Sequence, residues 1–273
     1  MTGEATAGAL LDAARAGDAG AVEELLRRVQ PRLLRFGMRM CGDPEDAKDV
    51  LQDTLLAALR ALPEFAGRSS LDTWLYAIAR SQCVRRRRRS KFAPPRELSL
   101  DDEAEALELP DPARGAEQRV DDRRLARALD RAIAALPPAQ REVLLLRDVE
   151  GLTAPEVGAA LGLTIEAVKS RLHRARAQVR RDLAPLLDGK PARRRPGCPD
   201  VVDLLSRHLE GDISRSACAA MERHVEECPS CRDACETLRA TLRLCHSVPE
   251  PQVPGPIQEA VRRELRSALA PRP

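Results

Sequence analysis

Aromatic side chains are scarce in this chain: one Trp, one Tyr and three Phe in 273 residues. Its cores must therefore be built from Leu, Ala and Val. Runs of β-branched residues are scarce as well, while Leu, Ala, Arg and Glu dominate, which predicts an all-helical (all-α) fold. No apolar run approaches the ~20 residues needed to cross a bilayer. The first residues, MTGEATAGALLDAARAGDAG, carry acids and lack the basic start of a signal peptide. The expectation is a cytoplasmic protein with no membrane partner, in which thiols stay reduced. Nor is there a phosphate-binding glycine loop or a nucleophile set beside a base, so no enzyme is expected.

A strong overall charge is missing too, since the net is only +3. The charge is segregated instead, basic over 85–91 and 169–181 and acidic over 101–111, which points to a local anionic partner. The first basic run, Arg85 to Arg89, follows the single Trp (Trp74) and the single Tyr (Tyr76), with Phe65 upstream. Rings beside guanidinium groups suit single-stranded nucleic acid, because bases stack on rings while arginines track phosphates. An ordinary helical hairpin with a solvated basic end is the competing reading.

Apolar spacing of three and four over 9–36 predicts one or two helices broken near Gly17–Gly20. Pro31 either kinks the second or sits near a helix start. Asp43 and Pro44 are set to cap and begin a helix to about Leu62. On it Asp46, Asp49 and Asp53 share the face opposite the buried stripe. A loop with Gly67 precedes a helix through Trp74 into the arginines. Residues 8–92 thus form a first helical domain. The proline-rich, acidic stretch 93–118 reads as a linker.

Residues 119–185 form a second helical block. One helix stops at Pro137–Pro138, another runs Pro138–Asp148, and Thr153 with Glu156 forms a capping-box pattern before a short helix. Gly162 makes a turn, and Thr164 caps a last helix with Val168, Leu172, Ala175 and Val179 inside. Two helices joined by a short glycine turn make a helix-turn-helix. Its outer face carries Lys169, Arg171, His173, Arg174, Arg176, Arg180 and Arg181, and Thr164, Glu166 and Ser170 would face base edges in a major groove.

After a second linker, 186–196, cysteines crowd together over 197–248. Cys198, His224, Cys228 and Cys231 form C-x25-H-x3-C-x2-C, a donor set and spacing suited to tetrahedral zinc. Cys218, Cys235 and Cys245 lie outside that set. They are either small packed residues or extra thiolates for a sensed metal or a redox switch. Cys41 and Cys83 read as core or surface residues. Residues 249–273 hold a proline-rich segment and a short helix with Ile257, Val261, Leu265 and Leu269 at intervals of four, apolar enough to dock on a partner.

The stretches DPEDAKDVLQDTLLAALRALPEFAGRSSLDTWLYAIARSQCVRRRR and LPPAQREVLLLRDVEGLTAPEVGAALGLTIEAVKSRLHRARAQVRR together resemble extracytoplasmic-function sigma factors of bacterial RNA polymerase, over residues 10–183. The resemblance implies that the first block binds core RNA polymerase and the melted −10 strand of promoter DNA, and that the second binds the −35 duplex. It implies polymerase contacts for Asp46, Asp49, Gln52 and Asp53. It implies capture of a flipped base by the loop Phe65 to Ser70, including Arg68 and Ser69. Trp74 and the helix after it, with Arg80, Gln82, Arg85 and Arg86, would line the open strand, and Lys169, Arg171 and Arg174 would touch DNA. Two departures are Leu55 or Leu56 where family members usually carry Phe, and Gln82 where they often carry Asn.

The cysteine-rich part is similar to zinc-containing anti-sigma domains, here fused to the sigma factor. It also resembles sigma factors whose C-terminal cysteine-rich domain responds to copper, zinc or cadmium. The expectation is a sigma factor gated by intramolecular docking of its own metal-binding tail. Alternatives are thiol-redox control of the same tail, or a helix-turn-helix regulator with a protein-interaction zinc domain.

Overall fold

The computed structural model describes residues 2–90, 116–187 and 196–269. Most of the two expected linkers, including the acidic stretch 101–111, lies outside the described residues. Those described contain helices and turns and no strand. The chain divides into two compact units, one of 1–99, 159–161 and 250–273, the other of 100–158 and 162–249.

The first unit contains α1 (Thr2–Arg15), α2 (Ala19–Cys41), α3 (Pro44–Ala61), α4 (Leu71–Ser90) and α12 (Gly255–Leu269). The chain breaks after α1 because Gly17 takes φ +89°, and Asp18 then caps α2 by accepting from the Ala21 amide at 2.7 Å. Pro31 lies inside α2 without ending it. Proline removes one amide donor there, but the buried neighbours Val29, Leu33 and Leu34 keep the helix in place. Gly42 at φ +82° closes α2, and Asp43 accepts from the Asp46 amide at 2.9 Å with Pro44 at the first helical position. Pro63 ends α3 through a short turn at Leu62–Glu64. Ser70 Oγ accepts from the Thr73 amide at the start of α4. Phe36 and Tyr76 meet edge to face at 5.5 Å between α2 and α4, over a core of Leu51, Leu55 and Leu75.

The C-terminal helix was expected only to dock on some partner. It packs on α2 and α3 of this unit, with Ile257 and Val261 buried and Arg262 donating to Glu23 at 2.7 Å. Leu265 and Leu269 have side chains outside the described residues.

The second unit contains α5 (Ala116–Ala135), α6 (Pro138–Leu144), α7 (Ala154–Leu161, its last three residues grouped with the first unit), α8 (Ile165–Leu183), α9 (Val201–Leu209), α10 (Arg215–Glu227) and α11 (Pro229–His246). The capping box at Thr153 and Glu156 is complete, and Thr164 accepts from the Ala167 amide at 3.2 Å to start α8. Val168, Leu172, Ala175, Val179 and Leu183 on α8 are all 0% exposed. Burial of each large one contributes about 1.5–3 kcal/mol. Helices α9 and α11 pack on α8, so the helix-turn-helix and the cysteine-rich part lie in one compact unit.

Two expectations need correction. The helix from Pro138 does not run to Asp148 in one geometry. It widens after Leu144 into a π turn, Leu145–Val149, where an extra residue per turn brings Leu145, Leu146, Asp148 and Val149 all inward. Arg176 is not on the solvated face of α8. It is 2% exposed and pairs with that inward Asp148.

The turn of the helix-turn-helix tolerates no side chain at Gly158, where a Cβ would sit 2.9 Å from the Leu163 carbonyl oxygen. Gly158→Val should therefore destabilise the second unit by about 1–3 kcal/mol, read as a lower urea midpoint. The first unit should unfold unchanged.

Candidate metal centre and nucleic-acid interface

Four side chains expected to bind metal converge in the second unit. Cys198 lies just before α9 and His224 in the last turn of α10. Cys228 ends α10, where its amide donates to the His224 carbonyl, and Cys231 lies in the first turn of α11. Pro229 forces the chain to restart as a helix immediately after Cys228. That break turns Cys-x2-Cys back towards His224. All four donor atoms lie within 4.8 Å of one another. His224 Nε2 and Cys231 Sγ are 3.1 Å apart, and Cys198 Sγ and Cys228 Sγ 3.9 Å. A tetrahedron with Zn–S bonds of ~2.3 Å has edges of ~3.8 Å, so the set fits such an ion.

Electrostatics argue the same way. Burial first, then the neighbouring thiols Cys198 and Cys228, push the Cys231 thiol up to about 12. Three thiolates at this spacing need a cation to neutralise them. Around them lies an apolar core of Val201, Val202, Leu205, Met221 and Leu238.

The other tail cysteines are not brought to this centre. Cys235 is 2% exposed and packs in the same apolar core, and Cys245 is fully buried on α11. Cys218 sits apart, its sulfur 3.4 Å from His208 Nδ1 and donating to Glu222. Burial and Glu222 raise its thiol above the usual range.

On the basic helix α8, Thr164, Glu166, Ser170 and Arg174 are exposed, with Arg174 donating to Ser170 Oγ at 2.8 Å. Other basic side chains of the expected DNA face lie near carboxylates. Lys169 lies 3.3 Å from Asp212, His173 Nδ1 3.4 Å from Asp203, and Arg171 3.8 Å from Glu142. Arg176 donates to Asp148 at 2.6 and 2.8 Å, to Glu210 at 2.8 Å and to Ser206 Oγ at 3.0 Å. Arg147 adds a second bond to Glu210 at 3.1 Å. Asp203, Ser206, Glu210 and Asp212 all belong to α9 or the turn after it. Burial opposes the charge on Arg176, but Asp148 and then Glu210 more than offset it and raise its pKa.

Sequence reasoning missed this network. Its one visible signal is Asp148 inside the apolar run VLLLRDV, where an acid without a partner would be costly.

In the first unit, Asp49 and Asp53 are exposed on α3 while Asp46 and Gln52 are half-buried. Arg86 of α4 donates to Asp46 at 2.9 Å and also to Asp49, so the two residue sets expected to meet polymerase and DNA touch each other. Phe65 is 6% exposed and packs against Trp74 with ring centroids 5.0 Å apart. Gln82 is buried. Arg68 and Arg85 are exposed, and Ser69 and Arg80 are half-buried.

Comparison with known proteins places these features together. The family model for sigma-70 region 2 matches residues 25–92, that for sigma-70 region 4 matches 126–179, and that for a putative zinc-finger matches 198–232. The ECF RNA polymerase sigma factor SigG of Mycobacterium tuberculosis is 36% identical over 263 residues, covering 88% of this chain and 69% of its own. SigE of Mycolicibacterium smegmatis, another ECF RNA polymerase sigma factor, is 34% identical over 187 residues, covering 66% of this chain and 69% of its own. Among solved structures, CnrH in complex with the cytosolic domain of CnrY is 27% identical with a TM-score of 0.46, over 66% of this chain and 96% of that one.

Removing a thiolate from the four-ligand set should release the ion and loosen the packing around it. Cys228→Ser should bind less than a tenth of the zinc held by the unaltered chain, measured by atomic emission on dialysed protein. Asp148→Ala should cost about 3–5 kcal/mol, because it strips the buried Arg176 of its main counter-charge. A urea midpoint unchanged from wild type would refute that second expectation.

Proposed function

The chain belongs to the extracytoplasmic-function sigma factors of RNA polymerase, and from that premise we propose that its own zinc-finger part holds it inactive. As a sigma factor it binds core RNA polymerase and directs promoter-specific initiation of transcription. The tail's role is the new reading, and one observation carries it. Acids of α9 and its following turn occupy Lys169, His173 and Arg176 on the helix that would enter the −35 major groove.

Magnitudes decide which contact matters. Lys169–Asp212 and His173–Asp203 are partly exposed and worth at most about 1 kcal/mol each. Glu210 is only 5% exposed at its side chain and bonds two arginines, Arg147 and Arg176. Release of the tail must break that buried contact, and it leaves Arg176 still paired with Asp148. Glu210 is therefore the latch between tail and recognition helix.

Zinc bound by Cys198, His224, Cys228 and Cys231 would supply a tetrahedral centre tying the start of α9 to the α10–α11 junction. These residues hold α9 in the position from which Glu210 and Asp212 reach α8. Loss or exchange of the ion, with copper or cadmium as thiophilic competitors, would shift the docked and undocked populations. Packing of α12 against α2 and α3 supports a second point of control, because α3 also carries Asp46, Asp49, Gln52 and Asp53, proposed to face polymerase.

Run-off transcription with core polymerase tests this. Zinc-loaded wild type should be several-fold less active than Glu210→Ala and than wild type treated with a chelator. Equal activity of all three would remove the gating and leave the family untouched. Copper or cadmium added to the zinc-loaded chain should mimic chelation if the exchange reading holds. Separately, Asp49→Ala combined with Asp53→Ala should weaken capture by core polymerase while leaving zinc content at one ion per chain.

A further inference from the structure

Two cysteines outside the tail meet in the first unit. Cys41 is the last residue of α2 and Cys83 lies within α4, 42 positions apart in sequence, with their sulfurs 3.1 Å apart. Cys83 is 4% exposed, whereas Cys41 is half-buried. This pair is no metal site of the tail's kind. Among the described residues the one group of three or more clustered metal donors is Cys198, His224, Cys228 and Cys231.

The surroundings favour reaction at Cys41. Its thiol lies below the ordinary range, chiefly because of the hydrogen bond it shares with Cys83, with the Arg86 charge adding to this against burial, Asp46 and Asp43. Cys83 is pushed the other way, by its hydrogen bond with Cys41 and by burial. The less buried sulfur is thus the more readily ionised, and the other is shielded beside it. A disulfide bond of ~2.05 Å needs the sulfurs to close by only about 1 Å.

We propose that Cys41 and Cys83 are a peroxide-oxidised dithiol, chemically separate from the tail's metal centre. The Cys41 thiolate attacks the outer oxygen of a hydroperoxide, forming a sulfenic acid while the rest of the peroxide leaves as an alcohol, or as water from hydrogen peroxide. Cys83 sulfur then attacks the Cys41 sulfur. The sulfenic hydroxyl departs as water, taking the Cys83 proton. Two thiols lose two electrons and the peroxide gains them. The resulting bond ties the end of α2 to α4 around the whole of α3, next to the Arg86 contacts with Asp46 and Asp49. A dithiol reductant restores the pair by exchange.

The test uses the full, zinc-loaded chain, titrated with hydrogen peroxide, alkylated and digested with trypsin. The expected product joins peptide 40–48 to peptide 81–85, lighter by two hydrogens than the two reduced peptides together. It should form before a chromogenic chelator detects released zinc, and vanish with dithiothreitol. Cys83→Ser should stop at a Cys41 sulfenic acid trapped by dimedone, and Cys83→Ala provides the same readout should serine disturb the core. Full alkylation of Cys41 and Cys83 after the zinc has been released would overturn the proposal. So would Cys41 appearing only in disulfides with tail cysteines or with a second chain. The Cys228→Ser variant, lacking the metal centre, should still form the Cys41–Cys83 bond, which separates this outcome from any failure of tail gating.

Discussion

The second unit depends on one buried cation. Arg176 projects from the recognition helix into a space where water cannot hydrate it, and a guanidinium there persists only with acceptors around it. Asp148 supplies two bonds and Glu210 and Ser206 the others. Asp148 reaches that position because the backbone after Leu144 widens into a π turn. In ordinary helical spacing the run LLLRDV would place some of its members outward. The widened turn lets Leu145, Leu146 and Asp148 all face in, and the charge of Arg176 makes the inward acid tolerable. Backbone irregularity and buried ion pair are thus one feature.

That pair gives the tail its grip. Glu210 follows α9 directly, and α9 begins three residues after the first metal ligand, Cys198. The metal-binding residues and the acids that meet α8 are therefore joined by nine helical residues with an apolar face on Leu205. In the proposed gating, loosening the four-residue Cys/His centre would loosen the end of a short lever whose other end carries Glu210. Surface pairs such as Lys169–Asp212 align the two parts but contribute little energy. In the proposed gating, the buried contact is the one that would discriminate docked from released states.

In the first unit, charged pairs between helices lie at or near the surface over a core built mainly of apolar side chains. Arg86 bridges Asp46 and Asp49, so the acidic face of α3 and the basic end of α4 are electrostatically one surface. Below them lies the thiol pair of Cys41 and Cys83, and along α2 and α3 lies α12, fixed by Ile257, Val261 and the Arg262–Glu23 pair. The same helix α3 therefore has contacts on several sides with groups able to respond to chain state or to oxidants.

Periodicity and caps were enough to define the helices. Asp18, Asp43, Thr153 and Thr164 cap where they stand in the sequence because their hydrogen bonds reach only three residues along the chain. The clustering of Cys198, His224, Cys228 and Cys231 was legible for the same reason, since three of the four lie within eight residues and Pro229 fixes the turn between them. The buried state of Arg176 was not legible, nor was the meeting of Cys41 with Cys83, nor the seat of α12. A basic residue on an outer helical face and one drawn into an ion pair 28 residues away look alike in sequence. What separates them is the path of the backbone through a π turn and the packing of α9 on α8. Local hydrogen bonding was written in the sequence; long-range charge pairing was decided only when the helices packed.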